Sequence, residues 1–235
     1  MVSQKVSVDL DLNGNDLLNV GAGASDAVSS VYPRFTVGAD DDEFDDESFS
    51  GWTAVNDGAA IPTVTELNDV ASILHPGGGS GAHLLAYMKT ASVSVGDIIE
   101  TAAHMQRKSQ NYPIFGLLFA DGTIYNAGNQ VATYWSPSEN LIYRAEFDGY
   151  NAAGLIGSVT PQANSIASGS DLFLRLKYVA ANTWACYFSC DGVSWLTNSA
   201  SFASTCTPSA FGFFVTTWGG AEQALFTFRY FRKRT

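Results

Sequence analysis

The sequence predicts an all-β protein, and three observations predict it. Aromatic and β-branched side chains alternate with other residues in four late runs, 172–178, 184–195, 211–218 and 225–232. Such period-two runs, separated by turn residues, are typical of antiparallel strands. The 22 glycines supply turns, and the 15 Phe and 10 Tyr suit half-buried pleated surfaces. Few stretches have helical periodicity, so we expect little helix.

The remaining strands are expected earlier in the same part of the chain. The 235 residues are 46% hydrophobic and 15% charged, which is enough to bury a sizeable core. The sequence has no internal repeat typical of solenoids or propellers. We therefore predict one sandwich domain at residues 40–235. Its other predicted strands are 43–49, 51–55, 64–66, 82–88, 94–105, 114–120, 123–126, 131–134 and 141–147.

The four late runs resemble the closing hairpins of the concanavalin A-like lectin/glucanase sandwiches. The resemblance is carried by Leu172-Phe-Leu-Arg-Leu, Tyr187-Phe-Ser-Cys-Asp-Gly-Val-Ser-Trp195, Phe211-Gly-Phe and Phe228-Arg-Tyr-Phe-Arg232, and the opening Glu43-Phe-Asp-Asp is similar to the family's first strand. It implies a jelly-roll β-sandwich whose first and last strands are neighbours. The acidic run at 40–47 would then lie near Arg229 and Arg232, where opposite charges neutralise each other.

Charge and cysteine content exclude several classes of function. The net charge is −11, and seven of the 23 acidic residues lie in the run 40–47. This balance argues against a nucleic-acid binder, which needs clustered Lys and Arg. No apolar stretch is long enough to span a membrane, and the start of the chain lacks the apolar core of a signal peptide. Cys186 and Cys190 lie too far apart on one extended strand to bridge, which predicts free thiols.

Residues 1–39 differ from the rest of the chain. Apolar residues alternate with polar ones before the turn Asn13-Gly14-Asn15, which predicts a short β-hairpin. One hairpin cannot bury its apolar face alone, so it needs a partner surface. The segment from Val8 to Gly21 resembles segments of bacteriophage fibre and adhesin proteins. That resemblance implies a virion-attachment segment that packs around a homotrimer axis.

A glucanase-like carboxylate spacing occurs at the start of the sandwich. Strand residues two apart share a face, so Glu43, Asp45 and Glu47 could flank one glycosidic bond, as in a family of retaining glucanases on this fold. The second spacer is Asp46 where that family has an apolar residue, and the run is embedded in further acids on the opening strand. We therefore expect no catalytic site here and predict that the chain is not an enzyme. No nucleophile with a triad frame occurs either.

Three segments contain residues typical of cation sites. Hard cations prefer several carboxylate oxygens, so Asp40, Asp42 and Asp45 form a candidate calcium site. The stretch from Asp9 begins like an EF-hand loop but has Val20 at the position that requires Glu. His75 and His83 bracket a glycine-rich segment, which we expect to be a surface loop. Metal binding by the two histidines is the alternative.

Aromatic residues at strand ends are the candidates for glycan binding, because sugar rings stack on Trp and Tyr while amides fix the hydroxyls. Trp184 and Trp195 are expected to pack in the core, and His104 is given no role. The candidate ligand residues are Tyr134, Trp135, Asn129, Gln130 and Trp218.

Together these features predict a phage virion protein, a fibre, spike or adhesin subunit. Residues 1–39 would bind other virion proteins and form a homotrimer, while the sandwich binds host-surface glycan without membrane insertion. Assembly in the host cytoplasm needs no export signal. The alternatives are a capsid decoration or head-fibre protein that binds no glycan and, less favoured, a polysaccharide-degrading glycoside hydrolase. No cofactor other than calcium is expected.

Overall fold

The structure, a computed structural model, describes residues 38–56, 63–67, 69–76, 78–107, 113–121, 129–137, 139–148, 162–163, 170–220 and 223–235. Only the backbone is described within 78–84 and 218–220 and at residues 56, 107, 129, 147, 148, 162 and 163. The predicted N-terminal hairpin, the candidate strand 123–126 and the glycine-rich loop's His83 side chain lie outside this part of the chain. The domain boundary at residue 39 therefore stays a prediction.

The described residues form strands and turns only, which confirms the all-β prediction. No helix in this part of the chain is long and apolar enough to cross a membrane. The strands are β1 Thr53–Asn56, β2 Thr63–Glu66, β3 Ala71–His75, β4 Gly78–Thr90, β5 Ile98–Arg107, β6 Ile114–Ala120, β7 Asn129–Ser136, β8 Leu141–Asp148, β9 Gln162–Ala163, β10 Leu172–Ala180, β11 Thr183–Ser189, β12 Leu196–Ala203, β13 Ala210–Gly220 and β14 Ala224–Arg234.

The strands form two seven-stranded antiparallel sheets. The first sheet has the order β1-β4-β13-β6-β7-β8-β9, and the second has the order β12-β11-β10-β5-β14-β3-β2. Hairpins join β6 to β8 and β10 to β12 within single sheets, whereas β13 and β14 follow each other in sequence and lie in different sheets. The two sheets therefore pack face to face as a sandwich.

Alternation along the strands builds the core between the sheets. Phe213 of β13 lies 4.6 Å from Phe228 of β14, measured between ring centroids, and Phe119 of β6 lies 5.2 Å from Trp184 of β11. All four side chains are fully buried. Paired rings at these separations add stabilisation beyond their buried area. The four late runs thus supply 12 of the 28 described buried residues of this core.

The acidic run at the start of the domain is not a strand, contrary to the prediction for 43–49. Phe44 and Glu47 have positive φ angles of 53° and 58°, which a strand cannot contain. Phe44 is nevertheless fully buried, so its apolar side chain anchors a loop instead of one face of a strand. A single bridge pairs Asp42 with Phe231 of β14. This contact confirms that the acidic run lies beside the last strand.

The β11–β12 hairpin is closed by the carboxylate of Asp191. Its Oδ1 accepts hydrogen bonds from the Val193 and Ser194 amides at 2.8 and 2.7 Å and from the Ser189 hydroxyl at 2.7 Å. These bonds, the Ser194 amide foremost, lower the pKa of Asp191. Gly192 adopts the positive φ that the turn requires. The turn returns the chain so that Trp195 lies next to the second sheet.

Candidate functional site

The outward face of the second sheet carries a row of polar and aromatic side chains. The register pairs Arg175 of β10 with Tyr187 of β11 and with Glu100 of β5, and it pairs Glu100 with Arg232 of β14. Residues opposite each other on neighbouring strands project to the same side of a sheet. The inward neighbours, such as Ile99, belong to the core. Four adjacent strands therefore line up these four side chains.

At one end of the row, Trp195 stacks on Arg175. The guanidinium carbon of Arg175 lies 3.6 Å from the centroid of the Trp195 ring, a close cation–π contact. The Nε of Arg175 donates to Glu100 Oε2 at 2.6 Å. Trp195 is half-buried, and the Arg175 side chain is 30% exposed. A partly exposed indole and guanidinium are thus held beside a buried carboxylate.

Glu100 is fixed from two sides. Besides Arg175, the phenol of Tyr230 donates to Glu100 Oε1 at 2.7 Å. Burial, together with the nearby carboxylate, raises the pKa of Tyr230, so its hydroxyl stays a donor at neutral pH. Glu100 in turn fixes the position of the Arg175 guanidinium. We refer to Trp195, Arg175, Glu100, Tyr187 and the half-buried Lys177 as the Trp195 site.

A histidine that the sequence analysis left without a role lies further along the same face. His104 Nδ1 lies 2.6 Å from Asp171 Oδ1, and Arg229 Nε lies 3.4 Å from Asp171 Oδ2. The sequence places these residues far apart, and only the pairing of β5 with β10 and β14 brings them together. Asp171 thus joins two basic side chains on the outward face.

The predicted aromatic pair Tyr134 and Trp135 does not form an exposed platform. Adjacent strand residues project to opposite faces, so the two rings cannot act together. Trp135 lies in the core, 1% exposed and edge-on to Phe115. Tyr134 projects to the outward face of the first sheet, where it is 5% exposed and stacks on Tyr143. Burial is the main cause that raises the pKa of Tyr134.

The other three candidate glycan ligands lie on β7 and β13. Gln130 shares the outward parity of Tyr134 and is buried. Asn129 pairs with Asp148, and Trp218 pairs with Ala82, but the side chains of Asn129 and Trp218 lie outside the described residues. The predicted group of five is therefore not assembled in the part of the chain that the structure describes.

That outward face of the first sheet is apolar, which the sequence analysis did not anticipate. Tyr134 is directly opposite Gly116, and its ring meets Phe214 edge-on at 6.2 Å. The described side chains of this cluster are buried: Ala86, Met88, Leu118, Ala120, Ala132, Tyr134, Tyr143, Ala145, Ala210 and Phe214. Buried side chains offer no open platform to a sugar ring. This face therefore contrasts with the polar row on the second sheet.

The proposed calcium ligands are engaged within the protein or exposed. Asp40 lies 3.2 Å from the ammonium of Lys233, and Asp42 accepts hydrogen bonds from the Trp52 indole at 2.5 Å and the Phe44 amide at 2.9 Å. Burial raises the pKa of Asp42. Asp45 is exposed. Among the residues described, no group of three or more His, Cys, Asp or Glu side chains is placed to hold a metal ion.

The glucanase-like spacing is also not realised as a shared strand face. Glu43, Asp45 and Glu47 lie in the loop with positive φ angles, so their alternation does not align them. Both carboxylate oxygens of Glu43 accept hydrogen bonds from Arg232, at 2.6 and 2.7 Å. Glu43 is thus part of the ion pair that ties the opening loop to β14.

Trp195 is the functional candidate that sequence reasoning assigned to the core. The sequence pattern of β10 could have indicated this site. Arg175 and Lys177 alternate with Leu174 and Leu176, which are buried, so the two cations must face outward. The turn at Asp191-Gly192 then returns β12 beside β11, and Trp195 just precedes β12. Combining the strand parity with the hairpin length would have placed the indole near Arg175.

Comparison with known proteins identifies the fold. No family model matches the sequence. No curated protein matches it either. Among solved structures, the β-glucanase of Bacillus licheniformis aligns with a TM-score of 0.58 at 9% identity, covering 83% of this chain and 97% of the glucanase. The carbohydrate-binding module CBM66 of Bacillus subtilis aligns with a TM-score of 0.51 at 14% identity, covering 79% and 96%.

A GH43 protein of Bacillus licheniformis, BlXynB, aligns with a TM-score of 0.58 at 13% identity. The alignment covers 86% of this chain and 40% of BlXynB, so the chain spans less than half the length of that protein. Identities this low show the fold alone. The fold is the concanavalin A-like jelly-roll β-sandwich, which confirms the prediction.

The comparisons also correct one expectation. The prediction that the chain is not an enzyme is overturned, because glycoside hydrolases stand among its structural neighbours. The three neighbours named above are carbohydrate-binding or glycoside hydrolase proteins. They give no support to the virion identity, which stays a prediction.

Proposed function

We propose that this concanavalin A-like sandwich binds carbohydrate at the Trp195 site. The observation that carries the proposal is the partly exposed stack of Trp195 on Arg175, with Arg175 held by Glu100. Carbohydrate sites combine an apolar platform with a few fixed polar groups. At this site a half-buried aromatic ring lies beside both a cation and a carboxylate.

The chemistry of the site suits a sugar ring. The axial C–H groups of a pyranose make an apolar patch that packs on the indole or on the half-buried ring of Tyr187. Hydroxyl groups then accept hydrogen bonds from the Nη groups of Arg175. Because Glu100, itself held by Tyr230, fixes Arg175 before any ligand arrives, little side-chain entropy is lost on binding.

The structural neighbours support this proposal. One is named a carbohydrate-binding module and another a β-glucanase. Their identity to this chain is low, so the choice of site rests on the side chains of this chain alone. Hydrolysis of a bound glycan is therefore measured alongside binding.

A glycan array followed by titration calorimetry tests the proposal. Trp195→Ala removes the platform and is expected to lower affinity for the best array ligand at least about tenfold, whereas Trp195→Phe retains part of it. Val193→Ala is the matched control, because Val193 is 81% exposed on the same hairpin and lies outside the row. The same mixtures are analysed for released sugars.

Two outcomes would overturn the proposal. The wild-type chain could retain no glycan on the array, or a folded Trp195→Ala variant could bind its ligand as well as Val193→Ala does. Thermal unfolding of each variant shows whether it is folded.

A more specific hypothesis concerns the particle to which this glycan-binding sandwich is attached. We propose that residues 1–39 attach it to a phage virion as a homotrimer assembled in the host cytoplasm, and that its ligand is host-surface glycan. The support is the resemblance of the segment from Val8 to Gly21 to phage fibre proteins.

Light scattering of the full chain and of a variant lacking residues 1–39 tests this hypothesis. A trimer that becomes a monomer on truncation, together with loss of particle binding, is expected. A truncated chain that still assembles and docks would contradict it. Firm particle binding without any glycan binding would favour the capsid decoration alternative.

A further inference from the structure

The outward face of the second sheet is basic, although the whole chain carries a net charge of −11. Its cationic side chains are Arg175, Lys177, Arg229, Arg232 and Arg234, and its carboxylates are Glu43, Glu100 and Asp171. A basic patch on an acidic molecule concentrates anionic ligands locally. The charge of this face therefore bears on the class of carbohydrate that it accepts.

The three carboxylates are already engaged by other side chains. Glu43 accepts two hydrogen bonds from Arg232, and Glu100 accepts from Arg175 and Tyr230. Asp171 lies between His104 and Arg229. These acids are consequently not placed to neutralise a further cation of the Trp195 site.

Lys177 is that further cation. Its register partners are Ile98 on β5 and Ala185 on β11, neither of which can pair with an ammonium group. No described carboxylate lies within 4.0 Å of its Nζ. Lys177 projects to the same side as Arg175, two residues away and so about 7 Å along the strand. A lysine and an arginine thus lie side by side next to the Trp195 platform.

The acidic run does not cancel this charge. Asp40 lies near Lys233 and Glu43 is bound by Arg232, both on β14. β14 is separated from β10 by β5, which places it about 10 Å away, near the screening length at physiological salt. The acidic run therefore adds little repulsion to an anionic group at Arg175 and Lys177.

We propose that the ligand of the Trp195 site is an acidic carbohydrate, with its carboxylate or sulfate group bound by Lys177 and by the Nη groups of Arg175. This inference rests on the proposed function and names its ligand class. A guanidinium and an ammonium group bind oxyanions through charge-assisted hydrogen bonds. The indole then supports the sugar ring that carries the anion.

A matched pair of polymers tests the charge requirement. Polyuronate and its carboxyl-reduced form share one backbone and differ in the carboxylates, and a sulfated polysaccharide with its desulfated form provides the second pair. The wild-type chain is expected to bind an acidic member at least about tenfold more tightly than its neutral counterpart. The preferred pair distinguishes carboxylate from sulfate.

Lys177→Gln tests the location. It is expected to lower affinity for the preferred acidic polymer about five- to tenfold and to weaken its salt dependence. Lys89→Gln is the control, since it removes the same charge from β4 in the other sheet. Equal loss in both variants, or none in Lys177→Gln, would overturn the inference.

The outcomes separate this inference from the proposed function. Equal binding of acidic and neutral polymers, abolished by Trp195→Ala, leaves the carbohydrate site standing and overturns its acidic specificity. Binding of no polymer at all overturns the ligand class, and silence on the glycan array as well overturns the proposed function.

Discussion

Arg232 donates from Nε and Nη2 to the two carboxylate oxygens of Glu43 and thereby joins the opening loop of the sandwich to its last strand. The Arg232 side chain is 3% exposed. Burial alone would lower the pKa of Arg232, but the Glu43 carboxylate raises it above its ordinary value. The pair is therefore charged and shielded from water on the arginine side.

Breaking this ion pair is expected to destabilise the domain. Glu43→Gln removes the carboxylate that accepts two hydrogen bonds from the buried guanidinium, which should lower the free energy of unfolding by about 3 kcal/mol. Asp45→Asn, at an exposed acid of the same run, should change it by less than about 0.5 kcal/mol. Urea denaturation of both variants measures the difference. Equal unfolding midpoints would show that the ion pair contributes nothing.

Glu66 predicts a pH dependence of stability. Glu66 is 7% exposed, its Oε2 has no hydrogen-bond partner among the described residues, and its Oε1 accepts from the Asp46 amide at 3.1 Å. Burial, with the neighbouring Asp46 carboxylate, raises the pKa of Glu66 to about 7. A raised carboxyl pKa means that the folded state binds the proton more tightly than the unfolded chain does. Protonation of Glu66 therefore stabilises the folded state. This stabilisation is fully present below the pKa of Glu66 in the unfolded chain and is lost as pH rises through about 7.

Glu66→Gln should remove that dependence. The amide keeps an acceptor for Asp46 and carries no charge, so the variant should exceed the wild type in stability at pH 8 by about 1–2 kcal/mol. The two proteins should converge near pH 5. Denaturation curves between pH 5 and pH 8 provide the measurement, with Glu47→Gln as the exposed control. A Glu66→Gln curve parallel to the wild type would contradict the assignment.

Gly116 is required by the close approach of β6 and β7. A Cβ atom there would lie 2.3 Å from the carbonyl oxygen of Thr133 and 2.6 Å from the Cβ of Tyr134. Gly116→Ala should therefore cost about 3 kcal/mol, because the strand backbone must shift. Gly51→Ala meets no atom within 4 Å and strains only a positive φ, so about 1 kcal/mol is expected. Similar thermal midpoints for the two variants would refute the steric argument.

The three cysteines should differ sharply in reactivity. All are free, Cys190 is exposed, and Cys186 and Cys206 are buried. Burial raises the pKa of Cys186 to about 11 and that of Cys206 to about 12, so neither forms a thiolate near pH 8. One thiol per native chain should react quickly with a disulfide dye, and Cys190→Ser should abolish that phase. Denaturant should release the others. A second fast thiol in native protein would contradict the described burial.

The sequence predicts a strand correctly where its pattern of apolar residues matches the burial of the strand's two faces. Ile114–Ala120 was predicted with its observed bounds, because a continuous apolar run suits a strand buried on both faces. The run 43–49 was predicted wrongly, since its two Phe side chains anchor a loop whose backbone leaves the β region at Phe44. β12 was missed because register shifts against β11 break its alternation.

The candidate site was less accessible to prediction than the fold. Aromatic residues at a strand end suggested a platform at Tyr134 and Trp135, but the pleat sends one ring into the core. The partners of Trp195 come from β5 and β10, whose pairing depends on the order of strands in the sheet. That order is a tertiary property, and local patterns do not encode it.

The position of β14 in its sheet affects the order in which the strands can pair during synthesis. β14 lies between β3 and β5, so the early strands β2 and β3 are joined to the rest of their sheet through the last strand in sequence. During synthesis they have no edge to pair with until β14 has left the ribosome. Their apolar faces stay open to chaperones or to neighbouring nascent chains for that interval. Closure of this sheet therefore waits for the synthesis of β14 and has long loops to close, and folding yield should depend on translation rate.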